Sequence, residues 1–485
     1  MQQVSVKKNT IFNIIKSLST VIFPLITFPY ISRVLGAQNV GKVNFSSSVI
    51  SYISLIASLG VATYAIRECA KVRYKKDELD KLASEIYSIN IMSTIIAYTA
   101  LFLILIFAKP IFGYRTLIIF QSLTVVFATL GTDWINSAME DFKYITIRTF
   151  VFQIVSIVLM FVFVTEPSHY YRYVLISVLS ASGGNIVNIL YRKKYCNISF
   201  TIKMNIRKHL KPIILVFSLI LSQTIYCNSD MTILGLIKGD YQVGLYSAAM
   251  KIYTIVNTMV ASVALVVMPK MANLFVKKDY REINKLVRYA VDCIIVFGLP
   301  VVVGIACIAP ELIEIIAGTG YTGAGTALRI LMVSLLFSYL GGIITNVILI
   351  PSGREKICLR ASIISAIINV VFNFILIPYY GLNAAAFTTA LAEGVALCVV
   401  SRYVEKDINI GSIWEVFGGP TVGCIGIGII TFCVKQFSLG LWIRTCLIIL
   451  LSVLTYICVL IIMKNKFALD IVKSIISRIK NRKDV

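Results

Sequence analysis

The chain has 485 residues, 58% of them hydrophobic and only 14% charged, and a mean hydropathy of +0.86, which excludes an ordinary soluble globular domain. Its net charge of +23 would suit nucleic acid, but most of its 46 Lys and Arg residues fall on alternate loops of an apolar chain, so the charge is a topology signal. Two histidines, His169 and His209, both read as loop residues, and eleven cysteines without a CxxC spacing exclude a His-based metal site or catalytic triad and give no disulfide framework.

A bilayer-spanning helix needs roughly 20 mainly apolar residues, and about fourteen such spans are predicted. They begin near Ile11, Val43, Ile86, Leu117, Ile145, Tyr173, Ile213, Val243, Leu286, Ala327, Ile357, Asn383, Ile413 and Leu441. Lys7 and Lys8 precede the first span and no small-residue cleavage site follows it, which reads as a retained start. Basic residues cluster from Arg67 to Lys81, Arg192 to Lys211, Lys270 to Arg288 and Lys464 to Lys483. By the positive-inside rule both termini are expected in the cytoplasm.

Several spans carry one polar stripe. In the first, Lys16 shares a face with Asn13, Thr20 and Thr27, broken by Pro24 and Pro29; the prolines free backbone carbonyls and suit a helix that gates. In the second, Asn44, Ser47, Ser51, Ser54 and Ser58 recur every three to four residues. Asp133 lies at the end of the fourth. In the seventh, Ser218, Ser222, Tyr226 and Asp230 are each four apart, and in the eighth Ser247, Lys251, Thr254, Thr258 and Ser262 repeat the stripe. Ser362, Ser365, Asn369 and Asn373 do so in the eleventh, and Glu393 lies in the twelfth. A helix facing lipid on all sides has no use for such a stripe, because each polar group in hydrocarbon needs a partner. A helix lining a water-filled cavity does.

An ionisable group inside a span costs about 2.5–3.5 kcal/mol on insertion scales, so each needs a reason. Lys16, one or two turns into its span, either snorkels to the surface or faces the cavity. Lys251 is deeper and shares its face with four hydroxyl-bearing residues, which favours the cavity. Asp230, Glu393 and Asp133 are candidates for ion coupling or for pairing, Asp230 with Lys251 included; Asp292 and Arg329 suit interhelical pairs or span ends. Lys and hydroxyl donors suit a phosphate or diphosphate, and amides such as those of Asn369 and Asn373 suit a sugar. No nucleotide-binding or catalytic motif is present. The chain reads as a transporter without cofactor or metal and not as an enzyme, driven by an ion gradient, the membrane potential or consumption of its product.

The stretch from Gly36 to Gly41 matches that from Gly239 to Gly244 at an offset of 203 residues. Phe127, Leu130, Gly131 and Asn136 match Phe337, Leu340, Gly341 and Asn346, and Gly184 and Arg192 match Gly394 and Arg402, at 210. Three matches in order predict a six-helix duplication: an all-α polytopic protein with lobes at 1–210 and 211–408 and two extra helices and a tail at 409–485. Six is even, so both copies enter from one side and the pseudo-two-fold should follow the membrane normal, with the site between the halves. From Phe467 to Ile479 apolar residues recur at three-to-four spacing opposite Lys473, Arg478, Lys480 and Arg482, as in a basic amphipathic helix on an anionic leaflet.

The segments from Phe23 to Gly36, Val40 to Phe45 and Ala57 to Glu68, with Gly131-Thr-Asp-Trp134, Glu140 to Arg148 and Val243 to Lys251, resemble the Wzx-like flippases of lipid-linked oligosaccharides in the multidrug/oligosaccharidyl-lipid/polysaccharide exporter superfamily. The resemblance implies two six-helix lobes that flip undecaprenyl-diphosphate-linked repeat units outward across a bacterial plasma membrane, for O-antigen, capsule or exopolysaccharide. It also implies a cationic cavity, which Lys251 and Lys16 fit. A polysaccharide polymerase and a chain-length regulator are the implied partners of a monomer, beside membrane lipids and with no nucleic acid. The Asp-Trp motif departs from the family where Ile-Asn-Ser-Ala follows it, so no ligand role is carried onto Asn136. Rival readings are a cation-coupled drug or metabolite antiporter of the same superfamily, and a glycan polymerase or ligase; the short external segment from Ala309 to Gly325 disfavours the latter.

Overall fold

The computed structural model of the protein describes residues 6–202, 205–404, 408, 413–465 and 467–470. Every regular element among them is a helix, the form in which a chain crossing hydrocarbon satisfies its own backbone groups. Large apolar side chains such as Ile95, Ile96, Val151, Ile154, Leu450 and Leu454 lie exposed; such a surface is unfavourable in water and suits lipid. Among the described residues, twelve helical runs are long and apolar enough to span a bilayer. This is a multi-span all-α membrane protein.

The run Ile22–Val72, 51 residues long, holds the predicted second span and much of the first.

The chain divides into two compact units, Met1–Gly244 and Leu245–Val485. The first contains α1 (Val6–Ser58), α2 (Val61–Val72), α3 (Lys76–Phe107), α4 (Arg115–Gly131), α5 (Trp134–Ala138), α6 (Phe142–Phe163), α7 (Tyr170–Tyr191) and α8 (Ile206–Lys238). α1 is two helices joined at Gly36, whose φ of 72° and ψ of 166° break the helix in a region glycine reaches without strain. It stays helical through Pro24 and Pro29. α8, the first helix of the second repeat by sequence, packs on α1 and α2 in this unit. Asp141 and Asn205 cap α6 and α8, accepting from Tyr144 N (3.3 Å) and Lys208 N (3.4 Å), which satisfies otherwise orphaned N–H groups.

α9 (Asp240–Lys277) begins in the first unit and continues in the second, followed by α10 (Tyr280–Cys293), α11 (Leu299–Cys307), α12 (Ala309–Ala317), α13 (Gly325–Ile343), α14 (Glu355–Tyr380), α15 (Leu382–Ser401), α16 (Ile413–Lys435) and α17 (Leu441–Ile462). α15 packs against both α13 and α14, and α16 pairs with α17. Two π-helical segments, Ile294–Gly298 and Ile344–Leu349, interrupt the ordinary ladder, and Tyr456 of α17 donates its hydroxyl to the Val296 carbonyl at 2.7 Å. Phe467 stacks edge-on against Tyr289. The rest of the expected amphipathic tail, from residue 471 on, lies outside the described residues.

Candidate functional site

Within the first unit the second-span stripe is open. Ser47 is exposed and Asn44, Ser51 and Ser54 are half-buried, while the neighbouring Ser46 and Ser48 are buried. Ser51 donates to the Ser47 carbonyl one turn back (3.0 Å), so its hydroxyl oxygen keeps lone pairs for a guest. Ser48 instead faces α8, accepting from Thr232 Oγ1 at 2.8 Å. On α8, Ser222 is buried and donates to the Ser218 carbonyl (3.1 Å). Asp230 is buried and lies near enough to Tyr52 to interact electrostatically. Lys16 is half-buried, and Thr27 satisfies itself on the Phe23 carbonyl (3.0 Å). Pro24 and Thr27 line a cavity of about 380 Å³ with Thr149, Gln153, Ser156 and Ser180 of α6 and α7.

Asp133 pairs with Arg148 of α6 (2.6 Å). Around this pair, Asn136 donates to Asn188 Oδ1 (2.5 Å) and Asn188 to the Gly131 carbonyl (2.7 Å). Arg192 binds the Leu130 carbonyl (2.8 Å) and Thr132 Oγ1 (2.9 Å). The Gly-Thr-Asp-Trp motif is thus the centre of a network joining α4, α6 and α7. At its edge Asp141 Oδ2 accepts from Tyr191 and Tyr195 hydroxyls (2.7 and 2.5 Å), beneath stacked Tyr144 and Tyr191 rings 3.5 Å apart. Burial pushes the Asp141 carboxyl upward, but these hydrogen bonds outweigh it and hold the group below its usual range. The native state therefore favours the carboxylate. Its stabilisation is present above the unfolded pKa, about 4, and is lost as pH falls through the folded value. Thermal unfolding in detergent should show a midpoint that falls more steeply below about pH 4 for the parent than for Asp141→Asn.

Within the second unit, Lys251 is half-buried on α9, with Ser247 buried on one side and Thr254 and Thr258 exposed on the other. Thr254 donates to the Met250 carbonyl and Thr258 to the Thr254 carbonyl, both at 2.8 Å. Among the described residues no carboxylate pairs with Lys251. Asn369 and Asn373 are fully buried: Asn373 donates to Asn369 Oδ1 (3.0 Å) and Thr388 of α15 to Asn373 Oδ1 (2.5 Å). They form a helix-to-helix network rather than an open lining. Glu393 is half-buried on α15. Arg329 is exposed and binds the Ala306 carbonyl (3.2 Å). α11 and α17 also border an apolar cavity of about 640 Å³ that includes Phe297, Pro300, Ile449 and Val453.

Two polar clusters have no counterpart in the sequence reading. The buried Glu311 on α12 takes Lys435 (2.8 Å) and Arg444 (3.8 Å), tying the α16–α17 hairpin to its unit. His209, read from sequence as a loop residue, lies in the first turn of α8 with no exposed surface, its Nδ1 2.7 Å from the Tyr64 hydroxyl and its Nε2 2.8 Å from Glu85 Oε2. Buried pairs of this kind join residues far apart in the chain, which no local pattern reveals.

The model of the polysaccharide biosynthesis protein family matches residues 6–275, more than half of the chain. The protein belongs to this family. A second model, MatE, matches residues 212–375; the two matches overlap on α8 and α9 and so both contain Lys251. The chain is 25% identical over 402 residues to a putative O-antigen transporter of Shigella dysenteriae, 82% of this chain and all of that one. It is 25% identical over 396 residues to the capsular polysaccharide biosynthesis protein CapF of Staphylococcus aureus, 80% and 97% of the two chains. Among solved structures it resembles the lipid II flippase MurJ in an inward closed conformation, with a TM-score of 0.75 and 17% identity, over 96% of this chain and all of that one. That likeness concerns the fold. The family match takes in both open stripes and the Asp133 network, and ends before Asn369.

Proposed function

We propose that this member of the polysaccharide biosynthesis family is a flippase that carries polyprenyl-diphosphate-linked oligosaccharide units from the inner to the outer leaflet of a bacterial plasma membrane. The observation that carries the reading is Lys251: a half-buried cation on a polar stripe of an apolar helix, without a carboxylate partner among the described residues. A cation is retained at such a place against its insertion cost when an anion visits it, and a diphosphate accepts charge-assisted hydrogen bonds from an ammonium and the neighbouring threonine hydroxyls. The related O-antigen transporter and capsular protein support a glycan cargo. Both termini are assigned to the cytoplasm, and the protein acts as a monomer by alternating access, passing its cargo to a polymerase and chain-length regulator outside.

The test is reconstitution in liposomes with a lipid-linked oligosaccharide, its arrival in the opposite leaflet read by a membrane-impermeant glycosidase. Time-dependent exposure that requires the protein supports the reading. Efflux of a small organic cation without exposure of the glycolipid replaces it with the antiporter. In a background without native cysteines, Ser51→Cys and Thr254→Cys should each react with a membrane-impermeant thiol reagent in at least one state. Protection of both positions in every state removes these stripes from the transport path.

A further inference from the structure

From residue 196 to 202 the chain has no regular secondary structure, and backbone N–H groups of alternate residues here find acceptors on α3. Asn197 N donates to Asp80 Oδ1 (3.0 Å), Ser199 N to Ser84 Oγ (3.2 Å) and Thr201 N to Ser88 Oγ (2.8 Å). The acceptors stand four residues apart on α3, a rise of about 6 Å. Two residues of extended chain cover about 6.6 Å, so the strap and the helix face are in register over three successive bonds. Ser88 completes its own bonding by donating to the Ser84 carbonyl (2.8 Å).

α3 also holds the start of α8. Glu85, beside Ser84, bonds His209, which also meets Tyr64 of α2. Cys196 and Ile213, at either end of the segment, are fully buried in one apolar cluster with Tyr64, Ala83 and Ile86. The fastenings just named end on side chains, which can exchange them for water without any helix unwinding. A buried, fully bonded His–Glu contact is secure while dry and is released when water reaches it. His209 lies in the first turn of α8, so that end of the helix is held or freed with this contact.

We propose that segment 197–201 and His209 form a latch on α3 that undocks and redocks as a unit, freeing the adjacent end of α8, and that this opening is a step of the transport cycle. The last clause rests on the flippase reading; the latch itself does not. Cys196 is a built-in reporter, because burial, with Asp80 nearby, pushes its thiol up to about 12 and keeps it unreactive while docked. In a protein retaining Cys196 alone, maleimide labelling should be slow, about tenfold faster or more in His209→Ala, as expected when a local opening is made easier, and slow again in His209→Gln, which keeps a donor and an acceptor. Equal labelling in the parent and His209→Ala overturns the latch.

For the cycle, Ser88→Cys and Thr201→Cys in a cysteine-free background are joined by a short cleavable cross-linker. Flipping in proteoliposomes should stop on linking and return on cleavage. A linked protein that flips as fast as the cleaved one makes the strap a fixed part of the fold and overturns the proposal. If the cleaved protein also fails to flip the glycolipid, the flippase reading fails, and the Cys196 labelling decides the latch by itself.

Discussion

Lys251→Ala is expected to abolish movement of a diphosphate-linked glycan in proteoliposomes while the protein remains folded and membrane-inserted. Losing a charge-assisted hydrogen bond to an anion costs about 1.5–3 kcal/mol, which is roughly one to two orders of magnitude in affinity, and no other cation stands on this stripe to replace it. Lys251→Arg keeps the charge with a different donor geometry and should retain part of the rate. Stability should move the other way. A half-buried ammonium in an apolar helix is unfavourable, so Lys251→Ala should melt no lower than the parent. Flipping rate and thermal midpoint, measured on the same preparations, separate a transport role from a structural one. Parent-like flipping by Lys251→Ala places the anion site elsewhere; a large drop in midpoint makes Lys251 a structural residue.

Gly41→Val and Gly244→Val should each prevent accumulation of folded protein. A Cβ at Gly41 would lie 1.8 Å from the Asp240 carbonyl oxygen, and one at Gly244 would lie 1.9 Å from that of Ala37. The obstacle is backbone in both cases, so no rotamer change relieves it, and the cost exceeds the about 1–3 kcal/mol typical of overpacking by side chains. The contact is reciprocal. Ala37 and Gly41 are related to Asp240 and Gly244 by the offset of 203 residues between the two matching strings, so the two strings meet each other. Nothing lies within 4 Å of a Cβ at Gly113, which makes Gly113→Ala the control. Yield of monodisperse protein in detergent and its thermal midpoint are the measurements. Equal behaviour of Gly41→Val and Gly113→Ala would show that the backbones do not approach so closely.

The two matching strings were therefore legible in the sequence, but the reason for their glycines was not. A matching string says that two segments resemble each other; that they touch through hydrogen-sized side chains is a fact of packing. The polar stripes show the same division. Ser47 and Asn373 belong to runs of equal helical period, yet Ser47 is exposed and Asn373 is fully buried against Thr388. Periodicity states which face of a helix is polar. It does not state whether water, a guest or another helix meets that face, because that is set by neighbours distant in the chain.

Hydropathy and charge distribution, summed over windows of about 20 residues, are local properties. They were enough to establish a multi-span helical membrane protein, and ordered motifs were enough to place it in its family. Charged residues inside such a chain are another matter. Asp133 finds Arg148, Glu311 finds Lys435 and Arg444, and Glu85 finds His209, while Lys251 finds no carboxylate among the described residues. Each carries the same insertion cost in the sequence, and only the folded chain decides which are neutralised. A partner more than a hundred residues away leaves no local trace, since a buried charge is satisfied through space and hydropathy is read along the chain.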